Sequence, residues 1–589
     1  MTGRLLRTPS LQVAAAVLLI LLPLLGGRYS LHLATLISAF WVLIAGLNLV
    51  VGFTGQLSIG HVGLLAVGAY LFAFLTLHDL ASPEIALLAC GVVGGLCGLL
   101  LGLPSLRLPG FYFAMTTLAF TIIVGELAVA LTDVTGGGTG LAVASFSEPM
   151  DTPEGQYLFT AAIAGLVTLM TVLATRGSWG RAMVSVRESE VMAAAVGVAS
   201  HRLKLTVFTF SGITAGLSGA LFGSLQSYVT PDTFAFDLSL FFFICIIIGG
   251  KGSILGPFIG TVVLTLLPEL VSPLVKYSHL FYGVLLLAVV LLVPGGLGQI
   301  FAGAGHRRPG TVNNAANPGL SPATAASMLS QATGPSATQA GLEAVGVSRS
   351  FGAVRALEDV GIRVAAASVH GLIGPNGSGK TTLLNVFTGY YPPSAGRILV
   401  DGMDVSGASV SQRPCLGLGR TFQTPRVVSQ LSVLDNVMAG GWATTRASFP
   451  EAMLGLPRSW SDERRLRECA LHLLEPLGLA DLAGRAANAL THAELRFVEI
   501  ARALMHAPRF ILLDEPASGL THSEIDRLAR TIDGLRGRGV GVLLVEHHTD
   551  LVFGLSDTVT TLNFGQVVCS GSPAQVRSDE QVRRVYLGG

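Results

Sequence analysis

Charge is scarce in this 589-residue chain. Asp, Glu, Lys and Arg together make up 12% of it, and the formal net charge is +1. Nucleic-acid phosphates are neutralised by clustered Lys and Arg, so this balance argues against nucleic acid as a partner. Cysteine is also scarce. The six (Cys90, Cys97, Cys245, Cys415, Cys469 and Cys569) show no C-x-x-C spacing and no pairing pattern. They read as buried small hydrophobes in a reducing or membrane setting, not as disulfides or zinc ligands. The scarcity of charge is uneven. Residues 1–300 hold 11 Lys/Arg and 12 Asp/Glu, whereas residues 301–589 hold 26 and 24. Such a split predicts two parts built for different solvents.

The first part is mostly Leu, Val, Ala, Gly, Ile and Phe, in apolar runs near 10–26, 31–53, 60–77, 84–103, 111–132, 157–175, 204–229, 238–250, 253–271 and 279–300. Most approach the roughly 20 residues that a spanning helix needs, and 238–250 is short enough to be re-entrant. Arg4 and Arg7 precede the first run, with only Arg28 just after it. The Lys/Arg bias therefore puts the N-terminus in the cytoplasm, with Arg107 and the stretch 176–204 on the same side. If the more charged C-terminal part is cytoplasmic too, the number of spans is even, eight or ten. Glycine clusters such as 91–95 and 136–140 predict close helix packing or broken helices lining a cavity. Glu126 is a carboxylate inside an apolar run. It is a candidate on the substrate path or, alternatively, a residue near the outer interface. The stretch 180–197, with charges first and then alanines and a glycine, predicts a short cytoplasmic helix able to seat in a groove of a soluble partner.

From 302 to 340 the chain turns to Ala, Gly, Ser, Pro, Thr and Asn without periodicity, which predicts a flexible tether. The expected domains are thus 1–301, a linker at 302–340, and 341–589.

The third segment carries the chemistry. Gly374-Pro375-Asn376-Gly377-Ser378-Gly379-Lys380-Thr381-Thr382 fits G-x-x-x-x-G-K-[ST], after the apolar run 369–373 and before the helix-like spacing of 382–387. Strand, glycine loop and helix start together form a phosphate cradle. Backbone N–H groups close on the phosphates, Lys380 adds a charge, and the Thr381 hydroxyl can ligate Mg²⁺. Phe351 is placed to stack on adenine, or else is a core aromatic. Gln423 can meet Mg²⁺ and the attacking water. Asp514 and Glu515 end an apolar strand, Asp514 to hold Mg²⁺ through water and Glu515 to orient the hydrolytic water. A second strand ends near His547, which can sense the γ-phosphate.

These residues resemble the ATP-binding cassette family over 341–589, and more narrowly the ATPases of branched-chain amino-acid importers. Thr421-Phe-Gln-Thr-Pro-Arg426, Glu499-Ile-Ala-Arg-Ala-Leu504, Glu546-His547 and the tail 585–588 carry that likeness. Stretches 48–60, 106–112, 135–140 and 248–257 resemble the LivM-type permease of the same importers. The resemblance implies a polytopic helical membrane domain fused to an α/β P-loop NTPase of the LivG type. It implies ATP and Mg²⁺ as ligands, and a coupling helix at 180–197. Its expected partners are a second permease with a second ATPase (or a second copy of this chain) and a periplasmic or lipid-anchored solute-binding protein. The expected place is a bacterial inner membrane, with the ATPase in the cytoplasm. Two alternatives stay open: the same machine carrying urea, short amides or aromatic acids, and a membrane-tethered ATP-binding regulator.

The chain also departs from the family. The signature, usually Leu-Ser-Gly-Gly-Gln, is here Leu490-Thr491-His492-Ala493-Glu494. A methyl at Ala493 and a charge at Glu494 predict a weakened contribution to the opposite cassette's site. Thr521 stands where Asp or Asn is usual. The family's Glu and Arg near Ile122 and Gly125 are absent.

Overall fold

The computed structural model describes residues 27–105, 110–270 and 341–584, with positions 283, 287 and 291 between them. The expected span at 10–26, almost all of that at 279–300, Arg4, Arg7, Arg107, the tether and the tail from Val585 lie outside the described residues. The chain divides into two compact units. The first comprises Met1–Arg187, His201–His306 and Phe449–Leu456, and the second Glu188–Ser200, Arg307–Ser448 and Pro457–Gly589.

The first unit is a helical bundle. Its helices are α1 (Arg28–Asn48), α2 (His61–Leu77), α3 (Pro83–Ser105), α4 (Gly110–Ala130), α5 (Pro153–Arg176), α6 (Ser178–Glu188), α8 (Ser200–Gln226), α9 (Phe236–Gly249) and α10 (Leu255–Leu270). Among the described residues, six helical stretches are long and apolar enough to cross a membrane: 28–53, 83–104, 110–130, 153–176, 200–226 and 231–249. This unit is a multi-pass membrane domain. The short run at 238–250 gains length from a 3₁₀ turn, Pro231–Phe234, ahead of α9.

Close packing explains much of the glycine. A Cβ on Gly94 of α3 would fall 2.4 Å from Gly212 O of α8, so these helices meet backbone to backbone. Helix α1 ends in a π-helical turn, Leu49–Phe53. Arg187 Nη1 donates to Gly52 O there at 2.5 Å, and Asn48 Nδ2 donates to Ser253 O at 2.8 Å. Arg187 thus satisfies one of the carbonyls left open at this helix end. Buried His61 is satisfied by Ser58 Oγ at 2.9 Å and Ser211 Oγ at 2.7 Å.

Two expectations need correction. The stretch 180–197 is two helices, α6 and α7 (Glu190–Ala195). Ser189 breaks the run in an extended conformation, and its hydroxyl accepts from Met192 N at 3.3 Å as the N-cap of α7. The cysteines are not all buried. Cys90 and Cys245 are, but Cys415 is exposed on the one-turn 3₁₀ helix Pro414–Leu416.

The second unit is an α/β cassette. Three five-residue strands, β3 (Val369–Ile373), β7 (Phe510–Asp514) and β8 (Gly541–Val545), are buried throughout. Continuous apolar strands covered on both faces are what a parallel sheet demands. With β6 (Leu418–Arg420), β9 (Thr558–Asn563) and β10 (Gln566–Gly571) they form a sheet of order β10-β9-β3-β8-β7-β6. All neighbours pair in parallel except β10 with β9. A smaller antiparallel sheet of order β2-β1-β4-β5 holds β1 (Gly341–Phe351), β2 (Val354–Ala365), β4 (Ala395–Val400) and β5 (Met403–Asp404). Register aligns Val545 with both Leu372 and Asp514. The carboxyl ends of β3, β7 and β8 therefore share one edge, where ligands of open α/β sheets bind.

Candidate functional site

That edge gathers the residues singled out in the sequence. After β3 the chain runs through the glycine loop into α11 (Lys380–Phe387). Two glycines are required by the packing behind the loop. Gly374, at φ 150°, would put a Cβ 2.2 Å from Leu562 O. Gly379, at φ 104°, would put one 2.7 Å from Ala356 O. Pro375, Asn376 and Gly377 form the outer turn between them. Lys380 Nζ folds back over the loop, donating to Gly374 O at 2.8 Å and Pro375 O at 2.9 Å. Burial pulls its pKa down, opposed by the carboxylates of Glu515 and Asp514. Ser378 Oγ is buried without a hydrogen-bond partner among the described residues, as a hydroxyl reserved for a ligand oxygen would be. Thr381 is exposed in the first turn of α11, and Thr382 is half-buried beside it.

Asp514 ends β7, almost fully buried. Burial pushes its carboxyl up, and Arg420, with Nη2 3.6 Å from Oδ2, opposes that. Arg420 is held in turn by Asn385 Oδ1 at 2.6 Å and Thr388 Oγ1 at 2.9 Å. Glu515 follows in the left-handed region, at φ 47°. A non-glycine residue held there is strained, and such strain collects at functional sites. Its carboxylate is gripped from two sides. Gln423 Nε2 donates to Oε2 at 2.9 Å, and His547 Nε2 lies 3.1 Å from Oε1. The structure thus brings together Lys380, Gln423, Asp514, Glu515 and His547. The hydroxyl of Thr381, the amide oxygen of Gln423 and the carboxylate of Asp514 are all oxygen donors, a set that fits a hard divalent cation.

Phe351 sits apart, at the end of β1. It is 39% exposed, edge-on to Tyr391 at 4.9 Å and capped by the Arg349 guanidinium at 4.8 Å. After α12 (Val433–Ala439), α13 (Phe449–Met453) and α14 (Pro457–Leu474), the signature residues lie at the start of α15 (His492–Leu504). Thr491 is its N-cap, and Glu494 closes a capping box by accepting from Thr491 N at 2.7 Å. Glu494 is therefore part of the helix start. Ala493 is buried, and the exposed His492 ring lies beside Gly519. Thr521 caps α16 (His522–Gly537) in a second capping box with Glu524. Thr shares that cap role with the Asp or Asn usual there. In the first unit, Glu126 lies on the exposed face of α4, near its C-terminal end.

Sequence reading gave no role to Glu546. It is buried after β8, and Oε2 accepts from His547 N at 3.0 Å while Oε1 accepts from Ala517 N at 2.5 Å. It fixes both His547 and the turn beyond Glu515. A buried acid directly after an apolar strand is the signal that could have found it.

The chain matches three known families. Residues 29–293 match the permease component of the branched-chain amino acid transport system, residues 357–518 the ABC transporter family, and residues 566–589 the branched-chain amino acid ATP-binding cassette transporter family. Among similar proteins is the high-affinity branched-chain amino acid transport ATP-binding protein BraF of Pseudomonas aeruginosa. It is 36% identical over 248 residues, 42% of this chain and 97% of BraF. LivG of Escherichia coli K12, with the same description, is 34% identical over 244 residues, covering 41% and 96%. The lipopolysaccharide export ATP-binding protein LptB of Acidithiobacillus ferridurans is 36% identical over 247 residues, covering 42% and 96%. Cassette likeness alone thus spans proteins named for different cargoes, and the permease match carries the narrower assignment. Permease and nucleotide-binding, ATP-hydrolysing cassette occur here in one polypeptide, and the chain belongs to the ABC transporters of the branched-chain amino acid family.

Proposed function

We propose that this chain is a subunit of an ATP-driven importer that carries branched-chain amino acids into the cell. One observation carries the reading: a branched-chain permease match shares its polypeptide with a cassette whose Glu515 is held between Gln423 and His547. The glycine loop, Lys380 and the start of α11 bind the ATP phosphates, and Phe351 stacks on the adenine. Thr381, Gln423 and Asp514 hold Mg²⁺, which when bound neutralises charge on the β- and γ-phosphates. Glu515 orients the attacking water and takes its proton, and His547 fixes the Glu515 carboxylate and meets the γ-phosphate.

One cassette covers ATP from one side only, so a second must close the sandwich. It comes from a partner permease–ATPase pair or from a second copy of this chain. The signature from Thr491 to Glu494 serves that opposite site, less well than a glycine-rich one. Helix α7 is the coupling element, seated in the cassette unit and joined to the membrane helices by its own chain. Delivery is by a periplasmic or lipid-anchored solute-binding protein, at a bacterial inner membrane with the cassette in the cytoplasm.

The test is uptake of labelled leucine, with urea and benzoate alongside, in cells expressing the chain and its genomic neighbours. The expected result is leucine accumulation that disappears with Glu515→Gln. Accumulation of urea or benzoate instead would move the substrate. ATP hydrolysis with no accumulated solute would overturn the import reading.

A further inference from the structure

Between Arg446 and Arg458 the chain reads Ala-Ser-Phe-Pro-Glu-Ala-Met-Leu-Gly-Leu-Pro, an apolar stretch whose one charge is Glu451. Its place in the sequence is inside the cassette. In the fold, Phe449–Leu456 belongs to the membrane unit, and the chain rejoins the cassette at Pro457. Phe449, Ala452 and Met453 follow the i, i+3, i+4 spacing of one helix face, and all three are buried. Helix α13, which they form, packs on α5. The Phe449 ring lies 5.0 Å from that of Trp179 on α6 and edge-on to Phe210 of α8 at 5.9 Å.

These neighbours set the depth of the segment. Arg176 at the end of α5, with His201 and Arg202 at the start of α8, are exposed, as cations at a membrane surface are. Phe210 lies eight residues past Arg202, about 12 Å further along the helix axis. Its side chain leans back towards the helix start. Phe449 therefore meets it near the boundary between head groups and acyl chains. On the other side of the segment, Leu454 is 56% and Leu456 40% exposed. A lone exposed leucine is ordinary on a soluble surface. These two stand beside a spanning helix, α5, that itself exposes Leu166 and Leu169.

The backbone of the segment is prepared for a dry setting. Gly455, at φ 60°, closes α13 in a Schellman turn. Leu456 N donates to Glu451 O at 3.0 Å, Gly455 N to Ala452 O at 3.2 Å and Leu454 N to Pro450 O at 2.9 Å. Pro450 and Pro457 have no N–H to satisfy. Polar backbone groups paired in this way do not hold the segment in water. We infer that Phe449–Leu456 is an interfacial element, with Phe449, Ala452 and Met453 seated on the permease and Leu454 and Leu456 in the acyl region of the cytoplasmic leaflet. The partner is the lipid bilayer. The inference depends on the membrane domain, and not on which solute is carried or in which direction.

The test uses the full chain with its partner subunits in vesicles of phosphatidylethanolamine and phosphatidylglycerol. Leu454→Cys carries a bimane label, with Cys415→Ser to remove the exposed native thiol. A nitroxide on the upper acyl chain of the lipid should remove most of the emission, and iodide in the water should remove little. Met403→Cys is the matched control, an apolar residue 61% exposed on β5 of the cassette. There iodide should quench and the lipid nitroxide should not. Iodide quenching at position 454 would overturn the inference. So would quenching by neither reagent, since the leucines would then be covered by protein. The unaltered chain gives a second reading should the labelled one fail to assemble. A photoactivatable phospholipid should leave adducts on the peptide holding Leu454 and Leu456, and a peptide without adducts would overturn the inference equally.

Discussion

Gln423 and Glu515, 92 positions apart in the chain, meet through a 2.9 Å hydrogen bond from Nε2 to Oε2. With His547 on the other oxygen, the carboxylate has little freedom to turn. Glu515→Gln keeps the shape and removes the base. Hydrolysis should fall about 10²-fold or more, with ATP binding retained, as measured by phosphate release and by nucleotide binding on the same preparation.

Gly374→Ala should abolish nucleotide binding without unfolding the cassette. The added methyl would sit 2.2 Å from Leu562 O, so the loop must move away from the strand behind it. The check is the rise in melting temperature that ATP gives the unaltered protein, which should vanish here.

Glu494→Gln should leave stability nearly unchanged, because Gln serves equally at the third position of a capping box. Combined with Ala493→Gly it should raise ATP turnover by restoring close backbone approach to the opposite site. No gain would mean the signature is not what limits that site. Thr491→Ala, by contrast, should cost about 1 kcal/mol in denaturant unfolding, since it removes the cap of α15.

Acid should destabilise the cassette before most carboxylates titrate. His370 and His506 are buried neutral, and burial pulls each pKa from 6.5 to about 4. The unfolded chain binds their protons first. Stability is therefore full above about pH 6.5 and is lost as pH falls towards 4, on the order of 3 kcal/mol per histidine. Denaturant midpoints between pH 7 and 5 check the slope, which His506→Gln should flatten. An identical slope in that variant would count against this assignment.

What the sequence made legible had a local trace. The glycine loop, the three apolar strands and the acids after them leave a pattern within a dozen residues, and their order assigned Gln423. What it hid was made by side chains meeting across long separations. Arg420 with Asp514, Glu546 with Ala517, and Arg496 with the backbone of Gln423 join positions that no period relates. The break at Ser189 was hidden differently. The sequence on both sides is compatible with helix, with alanines at 193–195 after the break, and a single serine ends the first helix because its hydroxyl satisfies the next helix start. Glu494 reads as a misplaced charge against the family signature, whereas its place in the fold is the capping box it completes with Thr491.

Glu515 at φ 47° sets the two demands on position 515 against each other. Glycine, or asparagine, would relax that backbone by about 1 kcal/mol, so a copy of this gene freed from selection for transport has a stabilising substitution open to it there. Taking it would silence the motor while leaving a sturdier cassette. Loss of function at this residue would then pass unnoticed in any screen that scores expression or folding.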